Sequence, residues 1–424
     1  MIGKSPLKSS EFTKSTLTLV IGTAIAQSIP FVLQPFLRRI YSPEDFGAIS
    51  VFLSILAVIS IVSSLRYEVA MLLPKEDEDA ANIFFLTVLI NIGFAIVGWI
   101  LLFFFLEPIV LLINFPVKYS YYLYLLPLAS MFFSVYQSVN YWLIRKKAFN
   151  ASTKNKIVRR GVEGGVQVSL GLLQIPGGLF WGDLVGNLAN VFAGWKQMLK
   201  HSFKVSFIRK SSLRKVAAQY KEFPFFNVGP TFLSSMANIL PFLLINKYFS
   251  TETVGYLDLT RLVLSIPIVF ISAAITQVLF QQITEKKNEQ KSIVAILKNV
   301  LVILFVIVVI EFAIILPFGP SLFGFVFGSN YALSGQFAQI LVFSFTMNLF
   351  SSTFSCVLIS LDKIRFNAVW QVFYFCGITS LIYFNNVDIK TFLNIFAIID
   401  SGFQLLYCVL IYYIIRQYEH KILS

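Results

Sequence analysis

Twelve apolar segments, most of them about twenty residues long, dominate the sequence. They lie near 16–37, 46–65, 81–106, 119–143, 157–175, 177–197, 223–246, 255–280, 297–317, 333–360, 367–384 and 392–415. A helix rises about 1.5 Å per residue, so roughly twenty apolar residues span the ~30 Å hydrocarbon core of a bilayer. Hydrocarbon offers no partner to a backbone N–H or C=O, so such a chain must satisfy each peptide group internally, as helices do. Composition agrees: 57% of the 424 residues are hydrophobic and 13% charged, against about 45–50% and about 25% in soluble domains. A soluble two-domain enzyme, a secreted disulfide scaffold and a disordered chain are excluded. Lys4, Lys8 and Lys14 followed by Ala24-Ile25-Ala26 resemble a cleavable signal. The apolar run continues past that point to Leu37, so it reads as the first membrane helix.

Charge orients the bundle. The net charge of +13 reflects basic residues gathered in cytoplasmic loops, not a nucleic-acid surface. With twelve spans both termini share one side, and that side holds 28 of the 34 Lys and Arg residues. Arg145, Lys146, Lys147, Lys154, Lys156, Arg159 and Arg160 fall in a 145–160 loop there, and eight more in a 196–221 loop. Both termini are therefore expected inside. The longest loop, 198–222, divides the chain into expected lobes 1–205 and 206–424. A repeat supports the division: Tyr41-Ser42-Pro43-Glu44-Asp45-Phe46-Gly47 after span one returns as Phe249-Ser250-Thr251-Glu252-Thr253-Val254-Gly255 after span seven. The expected fold is all-α integral membrane, with about twelve transmembrane helices in two pseudo-symmetric six-helix bundles.

No enzyme constellation is visible. His201 and His420 sit in or beside cytoplasmic loops, Cys356, Cys376 and Cys408 lie in apolar stretches, and no phosphate-binding or nucleophile-elbow motif occurs. No catalytic residue, metal site or cofactor is expected. The outer loops are short; the longest, about 318–332, has no Asp, Glu, Lys, Arg or His. What remains is a set of polar residues at membrane depth, where each is costly and tends to face a cavity or a partner. Span one carries Gln27, Gln34, Pro30 and Pro35, and Arg38 and Arg39 end it, placed to reach the outer interface. Arg66 closes span two. Asp183, Asn187 and Asn190 share one face of span six by their spacing. Asn227, Asn238 and Asn246 recur in span seven, and Arg261 lies in span eight three residues after Asp258. Arg261 reads either as a fixed cation in a cavity or as the partner of Asp258. Glu311 in span nine and Asp400 in span twelve read as proton or sodium sites or as partners of buried cations.

These motifs resemble the polysaccharide (O-antigen-type) flippase branch of the multidrug/oligosaccharidyl-lipid/polysaccharide exporter superfamily. The stretch Arg39 to Gly47 is similar to the branch's signature after the first helix. Arg66-Tyr67-Glu68-Val69-Ala70 with Leu73-Pro74 is similar to its next motif, and Gly255, Asp258 and Arg261 to its eighth helix. The resemblance implies a flippase that is not an enzyme, in the inner (plasma) membrane, moving undecaprenyl-diphosphate-linked glycan repeat units to the outer leaflet by alternating access. Its implied partners are that lipid-linked oligosaccharide, the bilayer and polysaccharide assembly proteins. Related lipid II flippases line a cationic cavity with arginines of helices one, two and eight. Arg261 matches the last of these and Arg66 stands near the second, whereas span one here has no cation at its middle. The expected substrate-binding set is Arg261, Arg66, Gln34, Asn187 and Asn238, with ion coupling at Glu311 and Asp400 from a proton or sodium gradient. The competing readings are a cation-coupled multidrug exporter of the same superfamily and a membrane polysaccharide polymerase.

Overall fold

The computed structural model describes Gly22 and residues 25–423. Among them no strand occurs, and the described part of every expected apolar segment coincides with a helix; residues 16–21, 23 and 24 of the first segment, with Lys4, Lys8 and Lys14 before it, lie outside the described residues. The protein is an all-α integral membrane protein. Among the described residues, seven helical segments are individually long and apolar enough to cross a bilayer.

The chain divides into two compact units, Met1–Ser235 and Met236–Ser424. The first contains α1 (25–40), α2 (Pro43–Ser63), α3 (Asp77–Ile113), α4 (Leu126–Arg145), α5 (Phe149–Leu172) and α6 (Gly178–Lys200). The division falls inside α7 (Glu222–Tyr248), about thirty residues beyond the 205/206 boundary expected from the loop. The reason is that the 198–222 stretch is not a free linker. Asn82 of α3 donates to Phe207 O at 2.8 Å and accepts from Arg209 N at 2.9 Å. The helix Lys210–Gln219 then places Val216 in the apolar cluster of Met71, Phe84, Trp142 and Phe203.

The second unit contains the later part of α7 and then α8 (Thr251–Leu264), which passes through a wide π-helical turn at Ile268–Ser272 into Ala273–Asn288. It continues with α9 (Val294–Phe327), α10 (Ala332–Phe354), α11 (Ile364–Thr379) and α12 (Ile389–Leu423). The 318–332 stretch is not the loop the sequence suggested. Most of it is helical, because Pro317 and Pro320 are accommodated inside α9, as proline is where neighbouring helices re-satisfy the backbone. Pro108 acts similarly in α3, which bends at Phe105 (φ −126°) and runs on to Ile113.

The sequence repeat is a pair of helix caps. Ser42 caps α2: its hydroxyl accepts from Asp45 N, while Ser42 N donates to the Asp45 carboxylate at 2.8 Å, and Pro43 opens the helix. Ser250 caps α8 by accepting from Thr253 N at 3.1 Å. Gly47 and Gly255 are both buried on the first turns that follow. At α12 the cap is the exposed Asp388, whose carboxylate accepts from the Thr391 hydroxyl and from the N–H groups of Thr391 and Lys390. Those bonds, the Thr391 hydroxyl first, hold its carboxyl below the usual range. The cap is therefore fully formed at neutral pH and is lost only as acid protonates it.

Helix α9 meets α10 through glycines. A Cβ on Gly335 would collide with the backbone of Gly319 and Pro320, whereas a Cβ on Gly93 in α3 would meet nothing within 4 Å. Gly335→Ala is expected to cost about 1–3 kcal/mol by overpacking and to lower Tm in detergent. Gly93→Ala, measured in the same melts, should leave Tm unchanged or raise it.

Candidate functional site

The second unit encloses a cavity of about 200 Å3 between α7, α8, α10, α11 and α12. Its polar wall is formed by Asn238, Arg261, Asn348, Tyr374 and Asp400, and Phe242 contributes to its apolar wall. Arg261 stands on the last turn of α8, where Ser265 N donates to Arg261 O at 2.9 Å. Pro267 follows, and the backbone re-forms as the π turn. Such wide turns recur at functional sites because they re-aim the side chains beside them. Ser265 and Ile268 bring this turn into the cavity wall.

The Arg261 guanidinium lies 4.9 Å from the centre of the Phe242 ring on α7, a cation–π arrangement that gains strength where water is excluded. Asp258, Tyr374 and Asp400 are near enough to act on its charge. Asp258 is thus one of three polar neighbours of Arg261, which also lines the cavity.

Asp400 is held more tightly. It is buried, and its carboxylate accepts from Tyr374 OH at 2.8 Å, from the Ser344 hydroxyl and, at 3.4 Å, from Gln404 Nε2. Gln404 accepts from Ser351 at 2.6 Å, and the Tyr374 ring stacks on Trp370 with centroids 5.0 Å apart. The network ties α10, α11 and α12 into one polar layer. A guanidinium presents five N–H donors and no acceptor. The cavity therefore sets an anion-binding group beside a carboxylate already held by three donors, with amides and aromatic rings around them.

The other expected residues lie elsewhere. Asn238 lines the same cavity as Arg261. Glu311 does not; it sits on the face of α9 that also carries the buried Leu304, Val308 and Ile315. In the first unit Gln34 accepts from Arg38 Nε at 2.8 Å. Arg38 itself is buried with its guanidinium 3.5 Å from the Phe46 ring centre, rather than extended to the interface; only Arg39 is exposed. The aromatic ring so near the end of α1 captures it. Arg66 caps the short helix Tyr67–Ala70 from a left-handed backbone position (φ 59°) and pairs with the buried Glu68 at 3.4 Å. Asn187 is buried on α6, donating to the Asp183 backbone and carboxylate at 2.9 and 3.0 Å.

Residue reasoning missed Tyr374, Asn348, Ser344 and Gln404. The i,i+4 pairs Trp370/Tyr374 and Asp400/Gln404 were the available signal. It also placed Lys156, Arg159 and Arg160 in a loop, whereas α5 begins at Phe149 and carries all three on its helical surface.

The sequence matches a family model described as polysaccharide biosynthesis protein over residues 36–336. The chain belongs to this polysaccharide biosynthesis protein family. Comparison with curated proteins gives no match. Among solved structures, the chain is similar to the lipid II flippase MurJ in an inward closed conformation, with a TM-score of 0.72 at 12% identity, covering 96% of this chain and 90% of that one. It is also similar to an inward-facing multidrug resistance MATE family transporter of the MOP superfamily (TM-score 0.71, 12% identity, 95% and 99% covered). An outward-facing member of the MATE family gives 0.62 at 12% identity, with 97% and 96% covered. At such identity these likenesses establish the fold: the family member described here has the architecture of membrane transporters and flippases.

The Asp400 network predicts a graded response to substitution. Asp400→Ala strands the Tyr374, Ser344 and Gln404 donors, at about 1–3 kcal/mol for each buried group left unpaired. Asp400→Asn keeps one acceptor oxygen. Thermal melts in detergent should rank wild type above Asn and Asn above Ala.

Proposed function

We propose that the protein is a flippase that carries undecaprenyl-diphosphate-linked glycan repeat units from the inner to the outer leaflet of the cell membrane for surface polysaccharide synthesis. Membership of the polysaccharide biosynthesis family and a fold shared with flippases support this reading. The observation that carries it is the Arg261 cavity, which combines a guanidinium with two amides and aromatic rings inside a membrane-embedded unit.

The physical task explains the combination. A glycan hydroxyl moved into hydrocarbon without a partner loses its hydrogen bonds to water, at roughly 2–7 kcal/mol each. Asn238 and Asn348 offer replacement donors and acceptors, and the Phe242 and Tyr374 rings offer flat apolar surface for sugar faces. Arg261 contacts a phosphate oxygen of the diphosphate through its planar fork of N–H groups. The carboxylate of Asp400 holds the polar layer in place and limits the net positive charge of the cavity. The prenyl tail stays in lipid throughout, so only the head group needs this environment.

Asp400 also gives the second reading its one specific support. A cation-coupled multidrug exporter requires an acidic group facing its cavity, and Asp400 lines this one. In the flippase reading the same carboxylate is the candidate for coupling to a proton or sodium gradient, while Glu311 is the candidate outside the cavity.

Reconstitution separates the two. In liposomes carrying a fluorescent undecaprenyl-diphosphate oligosaccharide, the protein should move the head group out of reach of a membrane-impermeant quencher. Arg261→Ala should slow this at least tenfold, about 1.4 kcal/mol, with Arg261→Lys in between. An unchanged rate in folded Arg261→Ala would remove the diphosphate role. Efflux of cationic drugs without lipid movement would favour the exporter.

A further inference from the structure

The first unit holds a basic cavity of its own, of about 170 Å3, lined by Ala26 and Gln27 of α1, Tyr136 of α4, and Lys156, Arg159 and Arg160 of α5. Positions 156, 159 and 160 are spaced i, i+3, i+4, so the three cations share one face of the helix. They stand about 10–17 Å along α5 from its first residue at 1.5 Å per residue. Helix α1 packs along α5 here, with Gly22 against Thr153 and Gly164 against Leu33, and this brings Gln27 to the cationic face.

The surroundings orient these cations. Arg159 reaches the buried Asp183 at 3.4 Å, and one nitrogen of Arg160 donates to both oxygens of Glu163 at 2.9 and 3.1 Å. The Arg159 guanidinium is further fixed by the rings of Phe133 and Tyr136, 5.6 and 5.8 Å from their centres. Yet polar capacity remains. Among the described residues Arg159 Nε is buried with no acceptor, and along α6 from Asp183 the Asn187 Oδ1 and both polar atoms of Asn190 are likewise buried without partners. Buried polar groups in native proteins are nearly always satisfied, and exceptions gather at functional sites.

We propose that the cavity lined by Lys156, Arg159 and Arg160 is a second anion-binding site, taking a phosphate-class group. Two planar guanidinium groups and an ammonium on one helical face present donors to several oxygens of a single tetrahedral anion. The cavity, of about 170 Å3, has room for a group the size of a phosphate. Gln27 and Tyr136 supply the neutral contacts. The same chemistry has two sources. One is the diphosphate of a lipid-linked glycan, in which case the assignment rests on the function proposed above. The other is the phosphodiester head group of an ordinary phospholipid, which needs no such function.

The test is direct binding. Full-length protein carrying Arg261→Ala, so that the second unit's arginine makes no contribution, is placed in maltoside micelles, which carry no phosphate, and titrated calorimetrically with inorganic pyrophosphate. Saturable binding is expected. Adding Lys156→Gln and Arg160→Gln should weaken it at least tenfold. Glu163→Gln, which releases Arg160 from its carboxylate partner, should strengthen it several-fold, a gain that a misfolded protein cannot give. No saturable binding, or binding that ignores both sets of substitutions, overturns the proposal. Repetition in phosphatidylglycerol nanodiscs identifies the source. If pyrophosphate binding is lost, the site holds a lipid head group; if it is retained, the site is reserved for a diphosphate. Either result keeps the site. A protein that binds pyrophosphate in this way but moves no lipid-linked glycan would refute the proposed function and leave the anion site standing.

Discussion

A charge held at membrane depth must find inside the protein what water would otherwise give it, and this requirement organises both units. Around Asp400 three donors from three helices converge on one carboxylate. Around Arg159 a carboxylate and two aromatic rings take the place of solvent. Each such group acts as a tie: the helices that supply its partners cannot slide or rotate without stranding it. The polar layers therefore fix register in a bundle whose apolar faces alone are nearly interchangeable, because lipid tails are as apolar as leucine.

Helix ends supply the second kind of definition. Ser42 with Asp45 and Ser250 with Thr253 cap corresponding helices in the two units, and each cap closes a turn of only a few residues. Such turns join α1 to α2 and α7 to α8. The motif that makes the sequence resemble its family in this region is thus largely structural. Function enters one step later, on the helix the second cap starts: α8 carries Arg261 and then widens into its π turn beside the cavity.

Much of this was legible in the residues. Hydrophobic length gave the helices, and the Ser42 and Ser250 heptads gave two related halves. Arg261 and Asn238, singled out as isolated polar groups in apolar runs, do line one cavity together with Asp400. Arg38, at a helix end, reads as reaching the interface, and the clustering of basic residues places Lys156, Arg159 and Arg160 in a loop. In the fold, Phe46 covers the first, and Tyr136 with Gln27 meets the others. The 318–332 stretch, between two apolar segments, reads as a loop, whereas α9 carries Pro317 and Pro320 within it and runs on to Phe327.

Alone, the sequence determined that this chain is a helical membrane protein built on a repeated hairpin, because span length and cap chemistry are local properties of consecutive residues. Only the tertiary structure decided which buried polar groups meet. Asp400 and Tyr374 are 26 residues apart and bond at 2.8 Å; Arg159 and Asp183 are 24 apart and pair at 3.4 Å. Periodicity assigns a residue to a face of its own helix, but which face of which neighbour it meets depends on how the helices pack. Cavities exist only between helices, so the Arg261 and Arg159 sites became visible only when the helices were brought together.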